Sequence, residues 1–216
     1  MDVKMNGYID HTILAATAVQ ADVQKLCAEA KDYGFHSVCI NSCWVPLAKK
    51  EVGDSGVKVC SVVGFPLGAM SEKAKVYEAT TAVQQGADEI DMVVNIGLLK
   101  GGSYDSVREE IAAVKKAIGS RVLKVIIETC YLDKAEKIKA CELAVAAHAD
   151  FVKTSTGFGT GGATFEDVQL MLDTVGANAK VKASGGVRDY ETARKYVEMG
   201  VRRLGTSNGV QIVGKK

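Results

Sequence analysis

The sequence predicts a single (β/α)8 TIM barrel, and three observations carry that prediction. Short apolar runs alternate with amphipathic stretches along the 216 residues, an order that gives parallel strands joined by right-handed crossovers. Eight runs fit, at about 27 residues per unit, which suits a compact barrel. The rival is an open doubly wound sheet. It would show G-x-G-x-x-G after its first strand and a chain in two halves, and neither is present.

The strands follow from short Val- and Ile-rich runs bounded by Gly, Asp or Asn. A brief run at Ile9-Asp10-His11-Thr12 comes first. Ser37 to Ile40, Val57 to Val63, Glu89 to Asn95, Val122 to Thr129, Phe151 to Thr154 and Lys180 to Ala183 come next, and Arg203-Leu204-Gly205 closes the series. Between them lie helical patterns. Val23, Leu26, Cys27 and Ala30 share one face of Asp22 to Tyr33, and Ser71 to Gln85 stops at Gly86. Val107, Ile111, Val114 and Ile118 recur at helical spacing within Ser103 to Ile118. Asp133 to His148, Thr164 to Thr174 and Asp189 to Met199 repeat the form, while Trp44 to Val52 is a shorter crossover. With two prolines, no linker and no low-complexity run, residues 1–216 read as one domain.

Composition narrows the function classes. Hydrophobic residues make up 47% and charged residues 25%, as in an ordinary globular chain. Formal net charge is +1, which gives no footprint for nucleic acid or an anionic membrane, so any affinity for anions must be local. The six cysteines form no C-x-x-C and no histidine completes a zinc set, so free thiols and no metal are expected. The opening MDVKMNGYIDHTIL lacks the apolar core of a signal peptide. No stretch reaches the roughly 20 apolar residues that span a bilayer. The expectation is a cytoplasmic protein with no membrane partner.

Active residues of such barrels sit at the carboxyl ends of strands. Lys153 ends the run Asp150-Phe151-Val152-Lys153, and Lys182 stands one βα unit later in Lys180-Val181-Lys182-Ala183. Two ammonium groups on adjacent strands should lower each other's pKa, and a neutral amine is what Schiff-base formation requires. Lys124 is a third interior lysine, on the preceding strand. The bland alternative has each lysine snorkelling to solvent, which three on successive strands make less economical. Asp91, in Glu89-Ile90-Asp91-Met92, can pair with Lys124 or Lys182, serving either as an acid/base group or as half of a structural ion pair. Asp10 and Thr12 share a face of the first strand and can either bind substrate hydroxyls or cap the first loop.

Three glycine-bearing loops follow consecutive late strands: Thr156-Gly157-Phe158-Gly159-Thr160-Gly161-Gly162, Ser184-Gly185-Gly186-Val187-Arg188 and Gly205-Thr206-Ser207-Asn208-Gly209. Glycines let backbone N–H groups approach an oxyanion, and the last units of such barrels often hold a phosphate. Tight βα turns also need glycine, so it is the recurrence that argues for phosphate. Cys39 and Asn41 share a parity on the second strand that can face the site, although a cysteine there is more often just a small buried hydrophobe. His11 should point into the strand–helix layer, and His36 and His148 precede strands on the far side of the barrel, so no histidine is assigned to catalysis.

These segments resemble the deoxyribose-phosphate aldolase family over nearly the whole chain. The resemblance rests on Ile9-Asp10-His11-Thr12, Val38-Cys39-Ile40-Asn41, Val63-Gly64-Phe65-Pro66-Leu67-Gly68, Glu89-Ile90-Asp91-Met92-Val93, Lys124-Val125-Ile126-Ile127-Glu128-Thr129, Phe151-Val152-Lys153-Thr154-Ser155-Thr156-Gly157 and Lys182-Ala183-Ser184-Gly185-Gly186-Val187-Arg188. It implies a class I aldolase, reversibly cleaving 2-deoxy-D-ribose 5-phosphate to acetaldehyde and D-glyceraldehyde 3-phosphate, with Lys153 forming the imine. Lys182 would tune Lys153 and share in proton transfer, and Asp91 would drive acid/base steps with water. Gly185, Gly186, Gly205 and Ser207 would hold the phosphate. The resemblance implies no cofactor, because the protonated imine is the electron sink, and it suggests a homo-oligomer. Some members carry a C-terminal tyrosine tail that reaches the site; this sequence reads Val213-Gly214-Lys215-Lys216 there, so tail-assisted proton transfer is not expected. Asn208 stands where some members have a second small hydroxyl residue.

Overall fold

A computed structural model describes residues 4–214; the opening Met1-Asp2-Val3 and the final Lys215-Lys216 lie outside the described residues. Eight strands close into a barrel in sequence order. They are β1 (Ile9–Ile13), β2 (Ser37–Ile40), β3 (Lys58–Val63), β4 (Glu89–Val93), β5 (Val122–Ile126), β6 (Phe151–Lys153), β7 (Lys180–Ser184) and β8 (Arg203–Thr206). All pairings are parallel, and β8 returns to β1 through Asp10 opposite Gly205.

The helices are α1 (Gln20–Tyr33), α2 (Val45–Val52), α3 (Glu72–Gln84), α4 (Ile96–Lys100), α5 (Tyr104–Ile118), α6 (Lys134–Ala146), α7 (Phe165–Val175), α8 (Tyr190–Met199) and α9 (Gly209–Gly214). Local chemistry sets their starts. Asp133, Thr164 and Asp189 each accept a hydrogen bond from the backbone N–H three residues on, satisfying a donor the first turn leaves open. None of the described helices is long and apolar enough to cross a membrane.

Two short helices, α4 and α9, lie where no helical periodicity was read. Asn95 leaves the strand pattern to cap α4, accepting from the Leu98 N–H at 3.1 Å. The fifth strand stops at Ile126 rather than Thr129, because Glu128 takes a left-handed conformation at φ 53°.

Strand parity divides the interior in two. Residues pointing outward, such as Val38, Ile90, Met92, Val125, Val152, Val181 and Leu204, are apolar and join the helices in one continuous core. The inward face is different. Barrels of this kind usually fill it with branched apolar side chains. Here Asp10, Glu89, Asp91, Lys124, Lys153, Lys182 and Arg203 are all buried, among inward-facing Val93, Ile126 and Phe151 and a small apolar patch of Leu14, Cys39, Cys60 and Val62.

Candidate active site

Asp91 is the hub of the interior. Its Oδ2 accepts from Lys153 Nζ and Lys182 Nζ, each at 2.8 Å, and its Oδ1 accepts from Lys124 Nζ at 2.7 Å. The Cys60 thiol donates to the same Oδ1 at 3.0 Å. Register explains the convergence, since Asp91 lies opposite Lys124, and Lys153 opposite Lys182. Side chains of one parity on neighbouring strands must meet inside a closed barrel.

A second layer supports this hub. Asp10 accepts from Lys182 with one oxygen, and from Ser37 and Arg203 at 2.7 and 3.0 Å with the other. Glu89 receives both Arg203 and Lys124, the latter at 2.6 Å, and His36 lies 3.1 Å away toward the amino-terminal end of the barrel. Unpaired, any of these charges would cost several kcal/mol to bury; each here is paired, and all but Lys153 have two or more partners.

The mutual pairing decides the protonation states. Burial alone would raise the Asp91 carboxyl, but the Lys124, Lys153 and Lys182 ammonium groups hold it well below the usual carboxylate range. Burial works the same way on Asp10, and Lys182 first, then Lys124 and Arg203, keep it lowered. Glu89, also buried, is brought down to about 2 by Lys124, His36 and Arg203. For Lys182 burial is opposed by Asp10 and Asp91, which leave its pKa raised, and Lys124 is raised by Asp91 and its neighbours. This corrects one expectation. Lys182 is not driven toward the neutral amine by a neighbouring ammonium, because two carboxylates contact it directly and outweigh that repulsion.

Above this floor opens a cavity of about 430 Å³. Thr12, Thr156, Gly157, Gly185, Gly186, Gly205 and Ser207 all line it, as do Ser184, Arg188 and Asn208. The structure therefore brings the three late loops to one place. Gly185 and Gly186 have φ of 84° and 81°, a region that favours glycine, and a Cβ on Gly185 would come within 3.0 Å of the Gly162 Cα. Gly205 packs on the floor, where a Cβ would meet Lys182 Cε at 3.1 Å. Phe158 sets its ring edge-on to Phe65, centroids 5.3 Å apart.

The cavity walls include none of Asp91, Lys153 and Lys182, nor Asp10 and Lys124, the two expected to touch substrate. Both are fully buried in the floor with their polar atoms engaged by Lys182, Arg203, Asp91 and Glu89. Thr12 turns its hydroxyl to the Asp10 carbonyl at 2.8 Å. His11 does point into the strand–helix layer, 2.7 Å from Glu29 on α1.

Sequence reasoning missed Glu128. Its buried carboxylate accepts from the Thr156 N–H at 3.1 Å and from the Thr156 hydroxyl, fixing the start of the loop that carries Gly157 and Phe158. A glutamate at a strand end resembles any loop residue, and only its left-handed backbone marks it. Glu89 and Arg203 were legible in principle: both are charged and share the inward parity.

A model described as DeoC/LacD family aldolase matches residues 4–215. The chain is 59% identical over 214 residues to the deoxyribose-phosphate aldolase of Carboxydothermus hydrogenoformans, covering 97% of this chain and 94% of that one. It is 57% identical over 211 residues to the enzyme of the same name from Finegoldia magna, covering 98% and 99%. Among solved structures, the aldolase QR15 superposes with a TM-score of 0.94 at 41% identity, covering 100% of this chain and 96% of that one. The deoxyribose phosphate aldolase of Aeropyrum pernix, described as a tetramer, superposes with a TM-score of 0.91 at 33% identity, covering 97% and 89%.

Proposed function

The chain belongs to the DeoC/LacD family of aldolases, and from that premise we propose that it reversibly cleaves 2-deoxy-D-ribose 5-phosphate to acetaldehyde and D-glyceraldehyde 3-phosphate. One observation carries the reading: Lys153 and Lys182 share a single buried carboxylate oxygen of Asp91 beneath a cavity walled by glycine loops.

Lys153 is the nucleophile. Its amine attacks the C1 aldehyde of the open-chain sugar, and loss of water leaves a protonated imine. The C3 hydroxyl gives up its proton, the C2–C3 bond breaks toward the imine, and glyceraldehyde 3-phosphate departs. The remaining enamine takes a proton at C2, and hydrolysis releases acetaldehyde and restores the lysine. Asp91 accepts and returns protons with a water molecule, a role its hydrogen bond from Lys153 supports. Lys182, held as a cation by Asp10 and Asp91, supplies positive charge and a proton at the same carboxylate. Lys124 keeps Asp91 ionised from its other oxygen. The backbone N–H groups of Gly185, Gly186 and Ser207, with Arg188, would receive the 5-phosphate, and Thr12 and Thr156 the sugar hydroxyls. The electron sink is the imine itself, so the chemistry needs no metal and no organic cofactor.

We read residues 1–216 as one domain acting on small aldehydes and sugar phosphates, in the cytoplasm, as a homo-oligomer. The near-zero net charge supports a partner list without nucleic acid or membrane.

The test is borohydride reduction in the presence of acetaldehyde, read by intact mass and peptide mapping. An ethyl group on Lys153, absent from Lys153→Ala, is expected. A folded protein that takes up no adduct would overturn the covalent mechanism.

A further inference from the structure

We propose that Cys39 and Cys60 are a peroxide-reactive dithiol, and that their disulfide closes the lysine site reversibly. Cys39 on β2 and Cys60 on β3 are direct register partners. Both face inward and both are fully buried, in a small apolar cluster with Leu14 and Val62. Their sulfurs and an Asp91 carboxylate oxygen all lie within 4.8 Å of one another. Paired strands run about 4.8 Å apart, inside the range of Cα separations that disulfides span. Rotation of the two side chains, rather than movement of the strands, is what the bond requires.

The two thiols have unequal characters, as a nucleophile and a resolving partner should. The neighbouring Cys60 thiol brings Cys39 down to about 7 despite burial, with Lys182 and Lys153 adding to the effect. Burial pushes Cys60 well up. The other deeply buried thiols behave as inert core residues: burial raises Cys27 to about 11 and Cys141 to about 12. Cys60 also points its proton at Asp91 Oδ1, 3.0 Å away, which gives that proton a hydrogen-bonded path out as the sulfur attacks. The same three ligand atoms could suggest a metal site, but Lys124, Lys153 and Lys182 crowd Asp91, and their ammonium groups oppose a cation there.

The chemistry balances with hydrogen peroxide as oxidant. The Cys39 thiolate attacks one peroxide oxygen, the O–O bond breaks, and hydroxide leaves and takes up a proton as water, giving a sulfenic acid. Cys60 sulfur then attacks the Cys39 sulfur, its proton passing by way of Asp91 to the departing hydroxyl, which leaves as a second water. Two thiols lose two electrons and two protons, and one peroxide becomes two waters. The product removes the Cys60 donor from Asp91 and ties β2 to β3 beside the carboxylate that holds Lys153.

The experiment uses the full chain carrying Cys43→Ser, because Cys43 is exposed and shares a tryptic peptide, 32–49, with Cys39. Reduced protein is treated with hydrogen peroxide, denatured, alkylated and digested. Peptide 32–49 joined to peptide 59–73 is expected. With Cys60→Ser added, the reaction should stop at a Cys39 sulfenic acid that dimedone captures. With Cys39→Ser added, Cys60 should stay reduced. Recovery of both peptides with alkylated thiols, or of a Cys39 sulfinate without a cross-link, would sink the dithiol, whatever the substrate of the enzyme. Aldol turnover should fall at least tenfold as the cross-link forms and return with dithiothreitol. A cross-linked protein of undiminished turnover would overturn the claim that the bond closes the site.

Discussion

Two groups of buried opposite charge lie on either side of β4, and they are held in opposite ways. Inside the barrel, Asp91 meets Lys124, Lys153 and Lys182 at once; the carboxyls there are lowered and Lys124 and Lys182 are raised. Outside, Lys75 on α3 and Glu110 on α5 form a single pair at 2.8 Å, with Lys75 also donating to the Val93 carbonyl. There burial wins on both partners: Lys75 is lowered and Glu110 is raised. One Coulomb contact does not outweigh desolvation of two ions, whereas a carboxylate shared by three cations is repaid several times over. The pair is an anchor, pinning the end of β4 to two helices. The cluster is a reservoir of charge held ready for chemistry.

The sharpest way to break this comparison is to remove the hub. Asp91→Asn leaves three ammonium groups around a neutral amide. Aldol turnover should fall by about 100-fold or more, the usual worth of a positioned acid/base group. Stability should fall by about 3–5 kcal/mol, the cost of stripping a buried charge from its partners. Turnover assays and urea melts measure the two losses. Unchanged turnover in the variant would mean that Asp91 is structural only.

The cluster and the pair were not equally legible beforehand. Lys153, Lys182, Lys124 and Asp91 each stand out because a charge at inward parity in an apolar strand demands a reason. Strand runs and helical faces were legible for the same cause: burial enforces periods of 2 and 3.6 along the chain. Short α4 and α9 were not, since five or six residues are too few for a period to show. Lys75 and Glu110 were invisible, because on amphipathic helices a lysine and a glutamate look like solvent-facing residues, and only the packing of α3 on α5 buries them. Glu128 escaped for want of any periodic signal. The protonation of Lys182 escaped because the sequence shows lysines one βα unit apart but not that Asp10, at the other end of the chain, closes against them.

The outer pair gives a milder test. Lys75→Met leaves the Glu110 carboxyl buried without its cation, and that group can take a proton rather than stay charged. A loss of about 1–3 kcal/mol is expected, with turnover within a few-fold of the parent. The double variant Lys75→Met, Glu110→Leu should recover most of that loss, since an apolar pair of similar volume often matches a buried ion pair. Urea melts of the single and double variants decide it. A double variant less stable than Lys75→Met alone would show the pair to be a net stabiliser and would erase the contrast with the barrel interior.

The smallest expected effect, and the most diagnostic in sign, is the pH dependence. Glu89 titrates at about 2 in the folded protein against an ordinary 4.5. Its contribution to stability is therefore complete above 4.5 and is lost as pH falls toward 2, because in that window the unfolded chain binds the extra proton. Glu110 is raised above 4.5, so the folded state binds the extra proton in its window, and stability is gained as pH falls from neutrality toward 4.5. A tenfold change in proton affinity is worth about 1.4 kcal/mol, so both effects are within reach of urea melts taken in pH steps. The stability of the parent relative to Glu89→Gln should be level from pH 7 to 4.5 and shrink below it. Relative to Glu110→Gln it should grow from pH 7 to 4.5 and level off below. If both differences moved in the same direction, the two clusters would be electrostatically alike, and the charge held inside the barrel could not be ascribed to the crowding of lysines around Asp91.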